Sequence, residues 1–77
     1  MKITVAHHAY IAKQLNSIKP LILECKPIYK NSGLSDKRFQ WDMVRQAGLI
    51  TWLCDNIYPY ANDDHIQTVL KQYFSKL

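Results

Sequence analysis

The sequence predicts an all-α protein, a small bundle of three to four helices whose first element is broken at Pro20. Apolar residues recur at helical spacing through three stretches, and no long stretch alternates apolar and polar residues as a strand would. The length of 77 residues suits one helical domain, residues 1–77, near the lower size limit for a domain that folds alone. A hydrophobic content of 48% argues against a disordered chain.

The first stretch follows Thr4, a residue type suited to capping a helix N-terminus. Pro20 interrupts it, because proline lacks the N–H that a helix interior needs. We therefore expect a helix over about residues 5–17 and a second piece over about 18–26 that tolerates Pro20 in its first turn and ends at Pro27. The apolar face shared by both pieces comprises His7, Ile11, Leu15, Ile18, Ile22, Cys25 and Tyr29.

The second stretch follows Ser35, another good N-cap, and holds both tryptophans. Its apolar phase continues across Gly48, so we predict one helix over about residues 36–57. A break at Gly48 is the alternative, because glycine in a helix costs about 1 kcal/mol relative to alanine. The predicted core stripe comprises Phe39, Met43, Ala47, Ile50, Leu53, Cys54 and Ile57.

The third stretch follows a turn at residues 58–61 and begins after Asn62, a third N-cap candidate. Asp63 and Asp64 suit the positive end of the helix dipole. The predicted apolar stripe comprises Ile66, Val69, Leu70, Tyr73, Phe74 and Leu77.

Charge is unevenly distributed along the chain. Residues 1–45 carry eight Lys or Arg against three acidic residues, and residues 46–77 carry two against three. A basic N-terminal half suits an acidic partner or nucleic acid, and the alternative is an ordinary solvated lysine surface.

Apolar runs are too short for a signal peptide or a membrane span, so we expect a cytoplasmic protein that does not enter a membrane. Cys25 and Cys54 occupy apolar helical positions, and we expect both to be reduced, buried thiols. No Cys/His spacing indicates zinc.

Residues 38–74 resemble a family of short all-helical proteins of unassigned function encoded in bacteriophage and prophage genomes. The resemblance lies in an R-aromatic-x-W-D helix (Arg38 to Asp42), a Y-x-Y turn (Tyr58 to Tyr60) and an N-D-x-H-I-x-T helix (Asn62 to Thr68). It implies a setting inside an infected or lysogenic bacterium, and it assigns no functional residue.

Two clusters have side chains suited to catalysis, residues 63–65 (Asp-Asp-His) and His7 with His8. Consecutive helical residues point about 100° apart, so neither cluster converges on one atom. We therefore expect no enzyme, no catalytic residue, no metal site, no cofactor and no small-molecule substrate.

Arg38, Trp41, Arg45 and Trp52 are the candidate partner-binding residues, because an unbroken helix places them on the face opposite the core stripe. Tryptophan and arginine dominate the energetics of protein interfaces. The alternative is that a middle helix buries both tryptophans as core.

The sequence thus predicts a small non-enzymatic accessory protein that binds another protein or a second copy of itself. With the phage resemblance, the specific expectation is a protein that modulates or inhibits a host system such as antiviral defence. A nucleic-acid-binding or regulatory module that uses the basic N-terminal half is the alternative.

Overall fold

Five α-helices and one 3₁₀ turn make up the fold in a computed structural model that describes residues 3–77. The helices are α1 (Val5–Ser17), α2 (Lys19–Asn31), α3 (Asp36–Gln46), α4 (Leu49–Asn56) and α5 (Asp63–Phe74), and the 3₁₀ turn is Tyr58–Tyr60. No strand occurs among the described residues. The all-α prediction is confirmed, and the count of three to four helices is too low by one.

Three helices begin at the caps that the sequence predicts. The Thr4 hydroxyl accepts from the His7 N–H at 3.1 Å, and His7 Nδ1 accepts from the Thr4 N–H at 3.3 Å, so the two residues form a reciprocal capping box. The Ser35 hydroxyl accepts from the Arg38 N–H, and Asn62 Oδ1 accepts from the His65 N–H. Each cap pairs a backbone donor that the first turn leaves free.

The break between α1 and α2 lies at Ile18, two residues before Pro20. A helix running through Pro20 would lack its N–H and would force its ring against the carbonyl of Asn16. In the second position of α2 the ring is accommodated, because no helical donor is needed there.

The predicted end of this helix at Pro27 is wrong, since α2 continues through Pro27 to Asn31. Because proline has no N–H, Pro27 leaves the Leu23 carbonyl without its helical hydrogen bond. Both residues are exposed, so the lost bond lies on the solvent side of the helix. Gly33 ends the segment with φ +72°, and the Leu34 N–H donates to the Tyr29 carbonyl at 3.1 Å, as in a Schellman motif.

The single helix predicted over residues 36–57 is also wrong. Gly48 has φ +72° and ψ 23°, a left-handed conformation that ends α3 and starts α4. Glycine adopts this conformation without the steric cost that other residues bear, so its role here is to turn the chain.

The core is one apolar cluster to which all five helices contribute. It comprises Ile11, Leu15, Ile22, Phe39, Met43, Val44, Leu49, Leu53, Ile57, Ile66, Leu70 and Phe74. The stripe predicted for α5 is confirmed, with Tyr73 and Leu77 partly buried and the other four residues buried. No helix within residues 3–77 has the length and apolar character needed to cross a bilayer.

Candidate functional site

One face of α3 presents Arg38, Trp41 and Arg45, which are three and four residues apart and therefore lie on the same side of the helix. Trp41 is partly buried and both arginines are exposed. Arg38 Nε lies 3.8 Å from Asp42 Oδ2, whereas Arg45 has no ion-pair partner among residues 3–77. The structure thus keeps three of the four candidate residues together.

Trp41 forms one wall of an apolar cleft of about 350 Å³, here called the Trp41 cleft. Its ring packs edge-on against Tyr58, with centroids 6.3 Å apart and planes at 82°. The residues lining the cleft are Trp41, Ile50, Leu53, Cys54, Tyr58 and Asp63. The volume lies within the range of ligand and anchor pockets in proteins.

Tyr58 and Asp63 give the Trp41 cleft a polar rim. The Tyr58 hydroxyl donates a hydrogen bond to Asp63 Oδ1. That bond raises the pKa of Tyr58, because the phenolate form would lose the bond and face the carboxylate. The bond also fixes the tyrosine ring beside Trp41, so the cleft has a defined shape.

Asp42, the ion-pair partner of Arg38, is also hydrogen-bonded to a residue of the neighbouring helix α2. The Tyr29 hydroxyl of α2 donates to Asp42 Oδ2 at 2.7 Å, and this bond is the main cause of a raised Tyr29 pKa. Tyr29 and Arg38 therefore share one oxygen of Asp42, and Arg38, at 3.8 Å, is the more weakly held of the two.

Trp52 occupies a different environment from Trp41. Its ring stacks on Tyr10 with centroids 4.4 Å apart, and it meets the edge of His7 at 5.7 Å. The prediction that Trp41 and Trp52 share a face depended on an unbroken helix, and the break at Gly48 removes that premise. A partner-binding role for Trp52 stays a prediction, and its observed contacts join α4 to α1.

The two clusters considered for catalysis have other partners in the structure. His7 takes part in the N-terminal cap of α1 and contacts Trp52. His8 Nδ1 forms a hydrogen bond with the hydroxyl of Tyr73, and burial raises the pKa of that tyrosine. Asp63 binds Tyr58, and His65 is exposed. Among residues 3–77, no group of three or more His, Cys, Asp or Glu side chains could hold a metal ion.

Sequence reasoning missed the contribution of α4 to the cleft. It placed Ile50 and Cys54 on the core stripe, but Cys54 is exposed and Ile50 only partly buried. The alternative prediction, a break at Gly48, would have identified this side of α4. In a separate helix, Leu49, Leu53 and Ile57 repeat every four residues and form the core face, which leaves Ile50 and Cys54 for the adjacent side.

Comparisons with known proteins identify no relative of this chain. No protein-family model, no curated protein and no solved structure matches the chain. The likeness to phage-encoded proteins stays an expectation, and the geometry of the described residues is what supports a function.

Proposed function

We propose that this chain is a small non-enzymatic binding protein that holds a segment of another protein in the Trp41 cleft. One observation carries the proposal. A partly buried tryptophan, flanked along its helix by two exposed arginines, forms the wall of an apolar cleft. Tryptophan, tyrosine and arginine are the residue types enriched at interface hot spots. Trp41 and Tyr58 line the cleft, and both arginines lie on the same face of α3 as Trp41.

The exposed arginines on the same α3 face as Trp41 favour an acidic partner segment with one apolar side chain as its anchor. Arg45 has no acidic partner among the described residues, and Arg38 is only loosely paired to Asp42. The whole chain carries a net charge of +4, which favours approach of an acidic surface. Asp63 stands at the other rim, where its carboxylate accepts the Tyr58 hydroxyl.

The resemblance to phage-encoded proteins gives this proposal a biological setting. In that setting the expected partner is a host protein, and the expected consequence of binding is modulation or inhibition of a host system such as antiviral defence. An intracellular location in the bacterium is part of the same proposal.

Nucleic-acid binding is the second candidate, and one observation favours it. Every lysine of the N-terminal half within the described chain is exposed, namely Lys13, Lys19, Lys26, Lys30 and Lys37. Contacts from such lysines to phosphates would make binding fall steeply with salt. We rank this candidate lower because the lysines are spread over three helices.

Affinity capture from a nuclease-treated bacterial lysate tests the first candidate against the second. The bait proteins are the unaltered chain, Trp41→Ala, Arg45→Ala and the control Tyr60→Ala, whose side chain is 65% exposed and does not line the cleft. We expect a protein that is retained by the unaltered chain and the control and lost with Trp41→Ala, which alters the cleft, and with Arg45→Ala, which alters the adjoining α3 face. Equal retention by all four baits, or loss of all retention after nuclease, would contradict the proposal.

Binding by a second copy requires its own measurement. Sedimentation of the purified chain reports whether it dimerises, and Trp41→Ala reports whether the cleft is the contact. A dimer that Trp41→Ala dissociates would keep the cleft as a binding surface and would replace the acidic partner by a second copy of the chain.

A further inference from the structure

A second cleft, of about 320 Å³, lies where α2, α3 and α5 meet, and it shares no residue with the Trp41 cleft. Phe39 of α3 and Phe74 of α5 contribute aromatic rings to it, with centroids 5.6 Å apart in an edge-to-face arrangement. Both phenylalanines are 6% exposed, so they are held rigidly by the core. An aromatic ring in this cleft would extend a pair that already favours edge-to-face packing.

Two lysines border the same cleft from opposite elements. Lys26 belongs to α2 and Lys71 to α5, and both are exposed. Asp36 is the single acidic residue on the border, and none of the three forms an ion pair within the described part of the chain. The cleft therefore combines aromatic walls with an excess of positive charge, and this combination suits an anion.

Gln40 adds an unsatisfied polar group to the lining. It is 5% exposed, and its side-chain oxygen has no hydrogen-bond partner within residues 3–77. A buried amide without a partner is unfavourable, and such groups are uncommon in folded proteins. The side-chain N–H₂ of Gln40 is the part of the amide that can donate to a carboxylate in the cleft, since the amide oxygen only accepts.

We propose that this cleft binds a small aromatic carboxylate. The ring would lie against Phe39 and Phe74, the carboxylate would lie between Lys26 and Lys71, and the Gln40 amide would donate to a carboxylate oxygen. The site is independent of the Trp41 cleft, so either proposal can fail without the other.

Phenylacetate is a suitable probe, and titration followed by amide chemical shifts of the full chain tests the site. We expect weak, saturable binding in about the millimolar range, as so small a ligand allows, with the largest shifts at Phe39, Gln40 and Phe74. Acetate has the charge without the ring, and phenethylamine has the ring with the opposite charge. Neither should produce these shifts at the same concentration.

Variants separate a ligand contact from a structural role. Lys71→Gln and Lys26→Gln should each weaken phenylacetate about fivefold, the upper end for an exposed ion pair, whereas the control Lys13→Gln on α1 should change nothing. Gln40→Leu should weaken binding about tenfold. It should not lower the melting temperature, because the replaced amide oxygen has no partner.

Three results would overturn the inference. They are shifts that scatter over surface lysines including Lys13, equal binding of phenylacetate and phenethylamine, and lysine variants that bind phenylacetate as tightly as the unaltered chain. A lower melting temperature for Gln40→Leu would show that the amide has a structural partner, which would remove it from the site.

Discussion

Tyr10 of α1 and Trp52 of α4 stack with ring centroids 4.4 Å apart and planes 24° apart. His7, one turn earlier on α1, meets the same indole edge-on. The pair joins the first helix to the fourth, two elements far apart in sequence. Trp52 therefore has a role in holding α1 on the bundle, whereas the aromatic contact of Trp41 is with Tyr58, a residue of the 3₁₀ turn.

Trp52→Ala should destabilise the protein by about 2 kcal/mol or more, below the 3–5 kcal/mol of a fully buried tryptophan because Trp52 is only partly buried. In a double-mutant cycle by urea unfolding, Tyr10→Ala and Trp52→Ala should couple by about 0.5–1.5 kcal/mol, as aromatic pairs do. The control Tyr60→Ala should stay within about 0.5 kcal/mol of the unaltered chain. Strict additivity of the two changes would mean that the stack contributes nothing.

Gly48→Ala distinguishes the two helical arrangements by the sign of its effect. With Gly48 left-handed, alanine should cost about 1–2 kcal/mol, because its Cβ disfavours that conformation. A continuous helix would instead gain about 1 kcal/mol from the same change. A Cβ at this position meets nothing within 4 Å, so no clash complicates the result.

Gly33→Ala is the matched control, with the same φ of +72° and the same open space around a Cβ. Both variants should lower the midpoint of chemical denaturation. A stabilised Gly48→Ala beside a destabilised Gly33→Ala would restore the unbroken central helix.

Local sequence signals predicted most of the fold, and packing between helices determined the rest. The caps at Thr4, Ser35 and Asn62 act within one helical turn, so the sequence alone was sufficient. At Gly48 the apolar phase favoured a continuous helix, but glycine permits a turn that lets Val44 and Leu49 both reach the core. The apolar spacing is compatible with both arrangements, so packing between helices decided which one forms.

The candidate site was predictable only in part for the same reason. Arg38, Trp41 and Arg45 lie within one helix, so their shared face follows from helical spacing. Tyr58 and Cys54 lie beside Trp41 only because the chain turns at Gly48 and again before Pro59. Trp52 was grouped with Trp41 on the assumption that the chain does not turn at Gly48.

The Tyr58–Asp63 hydrogen bond predicts a loss of stability at alkaline pH. The bond raises the pKa of Tyr58 above its ordinary value of 10.0 in the folded protein. The contribution is therefore fully present below about pH 10 and is lost as pH rises through the higher folded value. Asp63→Asn should return the Tyr58 pKa toward 10.0, as a phenolate absorbance titration would show. An unchanged titration would mean that the bond is not formed in solution.

Cys54 and Cys25 should differ in their rate of alkylation. Both are free thiols in the structure, but Cys54 is exposed and Cys25 is partly buried. Mass spectrometry over time should therefore detect modification of Cys54 first, against the expectation that both thiols are buried. Because Cys54 lines the Trp41 cleft, a bulky maleimide there should also abolish partner capture, whereas Cys54→Ala should retain it. Faster labelling of Cys25 would contradict the exposure of α4.

The contrast between the two tryptophans tests the central claim most directly. Thermal unfolding and partner capture should be measured side by side for Trp41→Ala and Trp52→Ala, with Arg45→Ala as the exposed third variant. We predict that Trp41→Ala and Arg45→Ala lose capture, a cost of about 2 kcal/mol or more at a hot spot, while their melting temperatures stay within several degrees. Trp52→Ala should show the larger fall in melting temperature and should retain capture where it remains folded. If Trp41→Ala unfolds the protein and Arg45→Ala binds normally, the Trp41 cleft is core packing and the proposed binding surface is wrong.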